Sequence, residues 1–65
     1  MRIYVNEKPV DVAVNTVAEL LAVLNELPEY FSLAVNDELV EKKDYAGTRL
    51  KENDRVTIFS FMAGG

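Results

Sequence analysis

The residues with the clearest chemical potential are the two glycines that follow the last predicted strand, Gly64 and Gly65. Glycine has no side chain, so a Gly-Gly end can enter a narrow channel and let its carboxylate approach a phosphate without obstruction. Residues 62–65 span at most about 13–14 Å when extended, enough to reach into a partner's active site. An inert frayed tail or a cloning remnant is the alternative at this point, because chain termini are commonly disordered.

The composition argues against most familiar catalytic chemistry. The 65 residues include no cysteine and no histidine, so the chain has no thiol nucleophile, no imidazole base and no ordinary zinc site. A chain of this length builds one thin core but hardly a deep substrate pocket as well. We therefore expect no catalytic residue, no metal site and no bound cofactor, and a protein that is not an enzyme.

The charge balance indicates the kind of partner. Seven basic and 11 acidic side chains give a formal charge of −4, which opposes binding to nucleic acid or to an anionic membrane surface. The longest apolar run, residues 20–24, is far shorter than the roughly 20 residues of a membrane span, and residues 1–10 do not resemble a signal peptide. We expect a cytoplasmic protein whose partners are other proteins.

Apolar residues alternate with polar ones in two segments near the start of the chain. This period of two predicts strands over residues 2–6 and 10–14, joined by a short polar connection as in an antiparallel hairpin. Pro9 then lies at the entry of the second strand, where its missing N–H costs least.

One amphipathic helix is predicted over residues 17–26. Thr16 and Glu19 have the spacing of a capping box, and Pro28 disfavours helix at the residue before it. The apolar residues follow helical spacing, and we interpret this stripe as core: Val17, Leu20, Leu21, Leu24 and Leu27.

The remainder of the chain predicts three more strands. They cover residues 31–35, a short edge strand at 39–40, and 56–62, with a surface loop over 41–48 that Tyr45 holds in place. Asn53 suits a left-handed turn before the last strand. The order predicts an α+β, β-grasp (ubiquitin-like) fold, a mixed sheet with one main helix on one face, in a single domain over residues 1–65 with a flexible Gly-Gly tail.

The last strand has apolar residues on both faces, and both cannot meet the same helix. If Val56 and Ile58 point to the helix, then Phe59 and Phe61 emerge on the open face of the sheet with Tyr4, as a patch suited to protein docking. The alternatives are that the phenylalanines are covered by a loop or that they form the core in an inverted register.

Five segments of the chain together match one known family. They are Ile3-Tyr4-Val5-Asn6, the run from Asn15 to Leu21, Ala34-Val35-Asn36 followed by Val40, the run from Leu50 to Val56, and Gly64-Gly65. With these segments the chain resembles, over its whole length, the ThiS sulfur carriers, relatives of the molybdopterin carrier MoaD and of ubiquitin. Family members often have glycine where this chain has Asn53, which suits the same turn.

The resemblance implies a role for the tail. The carboxylate of Gly65 would be adenylated by a ThiF-like enzyme that uses ATP and Mg²⁺, and a persulfide donor would convert it to a thiocarboxylate. Thiazole synthase would then take the sulfur, with Gly64 and Ala63 threading into each partner. The compact length favours ThiS over a MoaD-like subunit of molybdopterin synthase. A ubiquitin-like modifier conjugated to lysine through Gly65 is the rival from another class.

Overall fold

The computed structural model describes residues 1–25 and 27–60. This part of the chain contains a five-stranded sheet, an α-helix and a 3₁₀ helix. The elements in chain order are β1 (Arg2–Val5), β2 (Lys8–Asp11), α1 (Val17–Val23), β3 (Phe31–Val35), β4 (Glu38–Val40), the 3₁₀ helix (Lys42–Gly47) and β5 (Arg55–Ser60).

The sheet is mixed, with the strand order β2-β1-β5-β3-β4. β1 and β5 pair in parallel, while the other neighbouring strands are antiparallel. The central strand is therefore β5, the last of the described elements, and it lies between β1 and β3. This arrangement confirms the predicted mixed sheet with one helix.

Two tight hairpins flank the central strand. Asn6 and Glu7 connect β1 to β2 with φ angles of 50° and 69°, and Asn36 and Asp37 connect β3 to β4 with 51° and 71°. Two-residue hairpin loops favour a positive φ at both positions, because that turn matches the twist of the strands, and asparagine tolerates it well.

The first hairpin corrects the predicted bounds of the second strand. The second strand is Lys8–Asp11 and not residues 10–14, because the two-residue loop brings Lys8 opposite Val5. Pro9 consequently lies inside the strand, where it is tolerated because β2 is at the edge of the sheet. Val14, which follows the strand, still packs in the core.

The predicted helix start is confirmed by its capping contacts. The Thr16 hydroxyl oxygen accepts the backbone N–H of Glu19 at 3.2 Å, and the Glu19 carboxylate accepts the N–H of Asn15 at 2.6 Å. The helix ends at Val23, earlier than the predicted residue 26. Val23 and Asn25 are weak helix formers, and Leu24 is extended and packs against the core.

One hydrophobic core lies between α1 and the sheet. Of the predicted apolar stripe, Val17 and Leu20 are fully buried in this core, while Leu21 and Leu24 are partly buried against it. The buried cluster consists of Ile3, Val14, Val17, Leu20, Leu33, Leu50 and Val56.

The segment predicted as an irregular loop over residues 41–48 contains the 3₁₀ helix. Its turns are closed by local hydrogen bonds, such as the 2.8 Å bond from the Asp44 N–H to the Glu41 carbonyl. Tyr45 is partly buried against the core, so the predicted role of this side chain is confirmed.

Candidate functional site

The register of β5 decides which of its side chains face the core and which lie on the open face of the sheet. Val56 is 1% exposed and Ile58 packs against the same core, whereas Phe59 is 47% exposed. Because side chains alternate along a strand, Phe59 lies on the open face of the sheet, opposite α1. The predicted register is therefore correct. Phe61, predicted to share this face, lies outside the described residues.

The exposed apolar side chains of this face extend across several strands. Tyr4 on β1 is half-buried, and Leu39 on β4 is 74% exposed. Leu39 lies opposite Ala34, which in turn lies opposite Thr57, so these three residues share the face with Phe59. We call Tyr4, Leu39 and Phe59 the open-face patch. A patch of this kind suits protein docking.

Leu39 was not among the residues predicted for docking. The signal was available in the sequence, because Val40 is its neighbour on a predicted strand. If Val40 points to the core, as it does, then Leu39 must point the other way. The prediction treated the two residues as one short apolar pair and did not assign them to opposite faces.

A buried carboxylate fixes the start of β5. Asp54 is almost fully buried, and its carboxylate accepts the Asn36 side-chain N–H at 3.0 Å and the Lys51 backbone N–H at 2.8 Å. The Asn36 side-chain oxygen accepts the N–H of Arg55 at 3.0 Å. Asn53 has the left-handed φ of 70° that the sequence predicted. The turn and the strand that follows it are thus joined to the β3–β4 hairpin.

The other hairpin holds β5 further along the strand. Asn6 donates its backbone N–H to the Val56 carbonyl at 2.9 Å, and its side-chain oxygen accepts the N–H of Ile58 at 2.8 Å. The side chain of Asn6 therefore continues the hydrogen bonding of β1 beyond Val5, where that strand ends. Through Asn6 and Asn36, both hairpins position the strand that leads into the tail.

We predict that Asn6→Gly lowers the free energy of unfolding by about 1–2 kcal/mol, because the Ile58 N–H loses its partner. Glycine keeps the positive φ of the turn, so the variant removes the side-chain acceptor without straining the backbone. Urea denaturation measures the stability, and amide hydrogen exchange reports on Ile58 directly. Unchanged exchange at Ile58 would show that this bond does not hold the strand.

The tail residues predicted to react or to thread, Ala63, Gly64 and Gly65, lie outside the described residues. Within residues 1–25 and 27–60, no group of three or more acidic side chains could hold a metal ion. No helix in the same ranges is long and apolar enough to cross a membrane. The described residues comprise a sheet face with exposed apolar side chains and a strand, β5, that is held by hydrogen bonds from both hairpins.

The parallel β1–β5 pair at the centre of a mixed sheet, with one helix packed on one face, defines a β-grasp protein. The model of the ThiS family matches residues 1–65. The chain therefore belongs to the ThiS family, a family of small sulfur carriers, as the sequence resemblance predicted.

Solved structures agree with the family match. A crystal structure of the thiamine biosynthesis protein ThiS from Geobacter metallireducens is 35% identical and has a TM-score of 0.83, and the match covers 100% of both chains. A solution NMR structure of a thiamine biosynthesis protein from the same organism is 32% identical, with a TM-score of 0.68, over 100% of this chain and 88% of that one. No curated protein sequence matches the chain.

Proposed function

We propose that this protein carries sulfur for thiamin biosynthesis as a thiocarboxylate on Gly65 and serves as a cosubstrate of partner enzymes. The observation that carries the proposal is the ThiS family match, which extends through the terminal glycines. The relatives described as thiamine biosynthesis proteins support the thiamin pathway over other sulfur acceptors. The proposed partners are a ThiF-like adenylating enzyme, a persulfide donor and thiazole synthase.

The chemistry begins with the Gly65 carboxylate, which is a poor electrophile until it is activated. A carboxylate oxygen attacks the α-phosphorus of ATP, and pyrophosphate leaves with its bridging oxygen. This forms the acyl adenylate. ATP and Mg²⁺ are held by the partner. The sulfur of a partner persulfide then attacks the carbonyl carbon, and AMP leaves with the electron pair of the broken C–O bond.

A thiol then releases the carrier from the resulting acyl disulfide. The thiol sulfur attacks the sulfur of the partner cysteine, the S–S bond breaks, and the thiocarboxylate leaves with the electron pair. The thiol sulfur is oxidised and the acyl sulfur is reduced, while the cysteine sulfur stays at the disulfide level and is now bonded to the thiol sulfur. None of these steps needs a catalytic side chain on the carrier, which agrees with a sequence that has no cysteine or histidine.

The fold supports this role by separating docking from reaction. The open-face patch would contact the adenylating enzyme, while the tail enters its nucleotide site. Gly65 is five residues beyond Ser60, so it lies at most about 16–18 Å from the end of β5. The bonds from Asn6 and Asn36 fix the path of β5 and hence the direction from which the tail leaves the sheet.

The mass of the C-terminal peptide, measured on protein isolated from cells, tests the proposal. One sulfur in place of one oxygen on Gly65 is expected. Gly65 joined to lysines of other proteins would instead identify a ubiquitin-like modifier. If neither product were found, the tail would be inert. Growth rescue of a thiazole auxotroph, compared with rescue of a strain that lacks its molybdopterin carrier, separates the thiamin role from a MoaD-like role.

We predict that Phe59→Ser weakens binding to the adenylating enzyme by more than about 1 kcal/mol, as truncation of an interface aromatic does. Stability should change little, because Phe59 is already half exposed. Calorimetric titration and urea denaturation of the same variant measure both quantities. Val23→Ser is the matched control, since Val23 is an exposed apolar residue on α1. A Phe59 variant that binds normally would remove this residue from the docking surface.

A further inference from the structure

Arg55, the first residue of β5, places a positive charge on the open face of the sheet. It shares that face with Phe59, because both are an odd number of residues from the inward-facing Val56. In the sheet register Arg55 lies beside Tyr4. With Tyr4 and Glu7 it lines a shallow surface cleft of about 230 Å³. The charge thus lies beside Tyr4, one residue of the open-face patch.

The backbone of Arg55 is held by two hydrogen bonds, whereas its guanidinium has no bonding partner within residues 1–25 and 27–60. Its N–H and C=O bond to the side chain and backbone of Asn36 at 3.0 and 2.7 Å. In the part of the chain that the structure describes, its guanidinium makes no ion pair or hydrogen bond. Arg2 on the same face differs, since it pairs with Asp11 at 3.2 Å and lowers the pKa of that carboxyl through the hydrogen bond.

The surroundings of Arg55 indicate the chemistry of its partner. A guanidinium beside an aromatic side chain, here the half-buried Tyr4, is typical of protein interfaces, and its planar donors match a carboxylate in a bidentate pair. A nucleic acid or phosphate-rich surface is disfavoured, because the chain as a whole has a net charge of −4. A protein surface with an acidic side chain among apolar residues fits the face best.

We propose that Arg55 pairs with a carboxylate on the adenylating enzyme and thereby sets the orientation of the docked carrier. This inference rests on the proposed function. Glu7, which also lines the cleft, would repel the same carboxylate if the carrier docked in a shifted position. Because Arg55 begins β5 and Phe59 lies near its end, contacts at both residues together would set the direction of the strand that leads into the tail.

The test compares charge changes at two arginines in ATP–pyrophosphate exchange with a ThiF-like enzyme of the thiamin pathway. Arg55→Glu is expected to raise the KM for the carrier about tenfold or more with little change in kcat. Arg55→Lys should recover part of the loss. Arg49→Glu is the matched control, because it makes the same change in net charge at another exposed position. Arg49 forms an isolated β-bridge with Thr16, at the start of α1. The KM of this variant should stay within about twofold of the wild type.

Salt dependence separates a charge contact from a structural effect. The wild-type KM should rise with salt, whereas the KM of Arg55→Gln should depend on salt more weakly. Two outcomes would overturn this inference alone, if the wild-type carrier supports exchange. One is an equal KM for Arg55→Glu and Arg49→Glu. The other is an equal salt dependence of KM for the wild type and Arg55→Gln. No exchange with wild-type carrier would overturn the proposed function and this inference together.

Discussion

One alanine added after Gly65 is expected to abolish adenylation by the partner enzyme. Under the proposed function, the extension would move the carboxylate that reacts by one residue and would put a methyl group into the narrow channel proposed for the glycine tail. Deletion of Gly65 should have the same effect, because the carboxylate then falls about 3.5 Å short. ATP–pyrophosphate exchange measures the loss.

The fold should be unaffected by either change, because the buried cluster and the bonds that Asn36 and Asn6 make to β5 involve positions several residues before the altered end. Thermal unfolding checks this. An alanine added before Met1 is the control for the effect of length, and it should leave exchange intact. Normal exchange by the chain extended after Gly65 would contradict the assignment of that residue as the reactive end.

Leu20→Ala should lower the free energy of unfolding by about 2–5 kcal/mol, the range for truncating a buried leucine. Leu20 is fully buried between α1 and the sheet. A domain of this size has a total stability of only about 3–10 kcal/mol, so much of the population should unfold. Urea denaturation followed by far-UV circular dichroism measures the change.

Neighbouring positions provide a graded control for this prediction. Leu21→Ala should cost less, because Leu21 is only partly buried. Val23→Ala should change stability by no more than about 0.5 kcal/mol, since that side chain is 53% exposed. A similar loss for all three variants would mean that the packing of α1 differs from the structure.

The sequence predicted those parts of the fold that depend on local chemistry. The capping contacts of Thr16 and Glu19 and the left-handed Asn53 require particular residue types at fixed spacing, and each is present in the structure. The faces of β5 followed from alternation. The β-grasp order followed from the sequence of elements and was supported by the family resemblance.

Features that depend on tertiary pairing could not be predicted in the same way. Alternation at Val10, Val12 and Val14 continues past the end of β2, so the pattern alone did not show where pairing stops. The end of α1 depends on Leu24, which is extended and packs against the core. Asp54 looks like an ordinary turn residue until Asn36, 18 positions earlier, is brought against it.

The position of β5 in the sheet has a consequence for how the protein is made. Synthesis proceeds from the N-terminus, so β1 and β3 are made before β5. Neither strand can pair with β5, which lies between them in the sheet, until that last strand has been synthesised. Such non-local pairing slows folding. We expect a nascent chain that stops before residue 55 to lack this neighbour, to stay unfolded and to be open to proteases. Quality control in the cell would then remove truncated chains, because the strand that leads to the tail is also the strand that completes the fold.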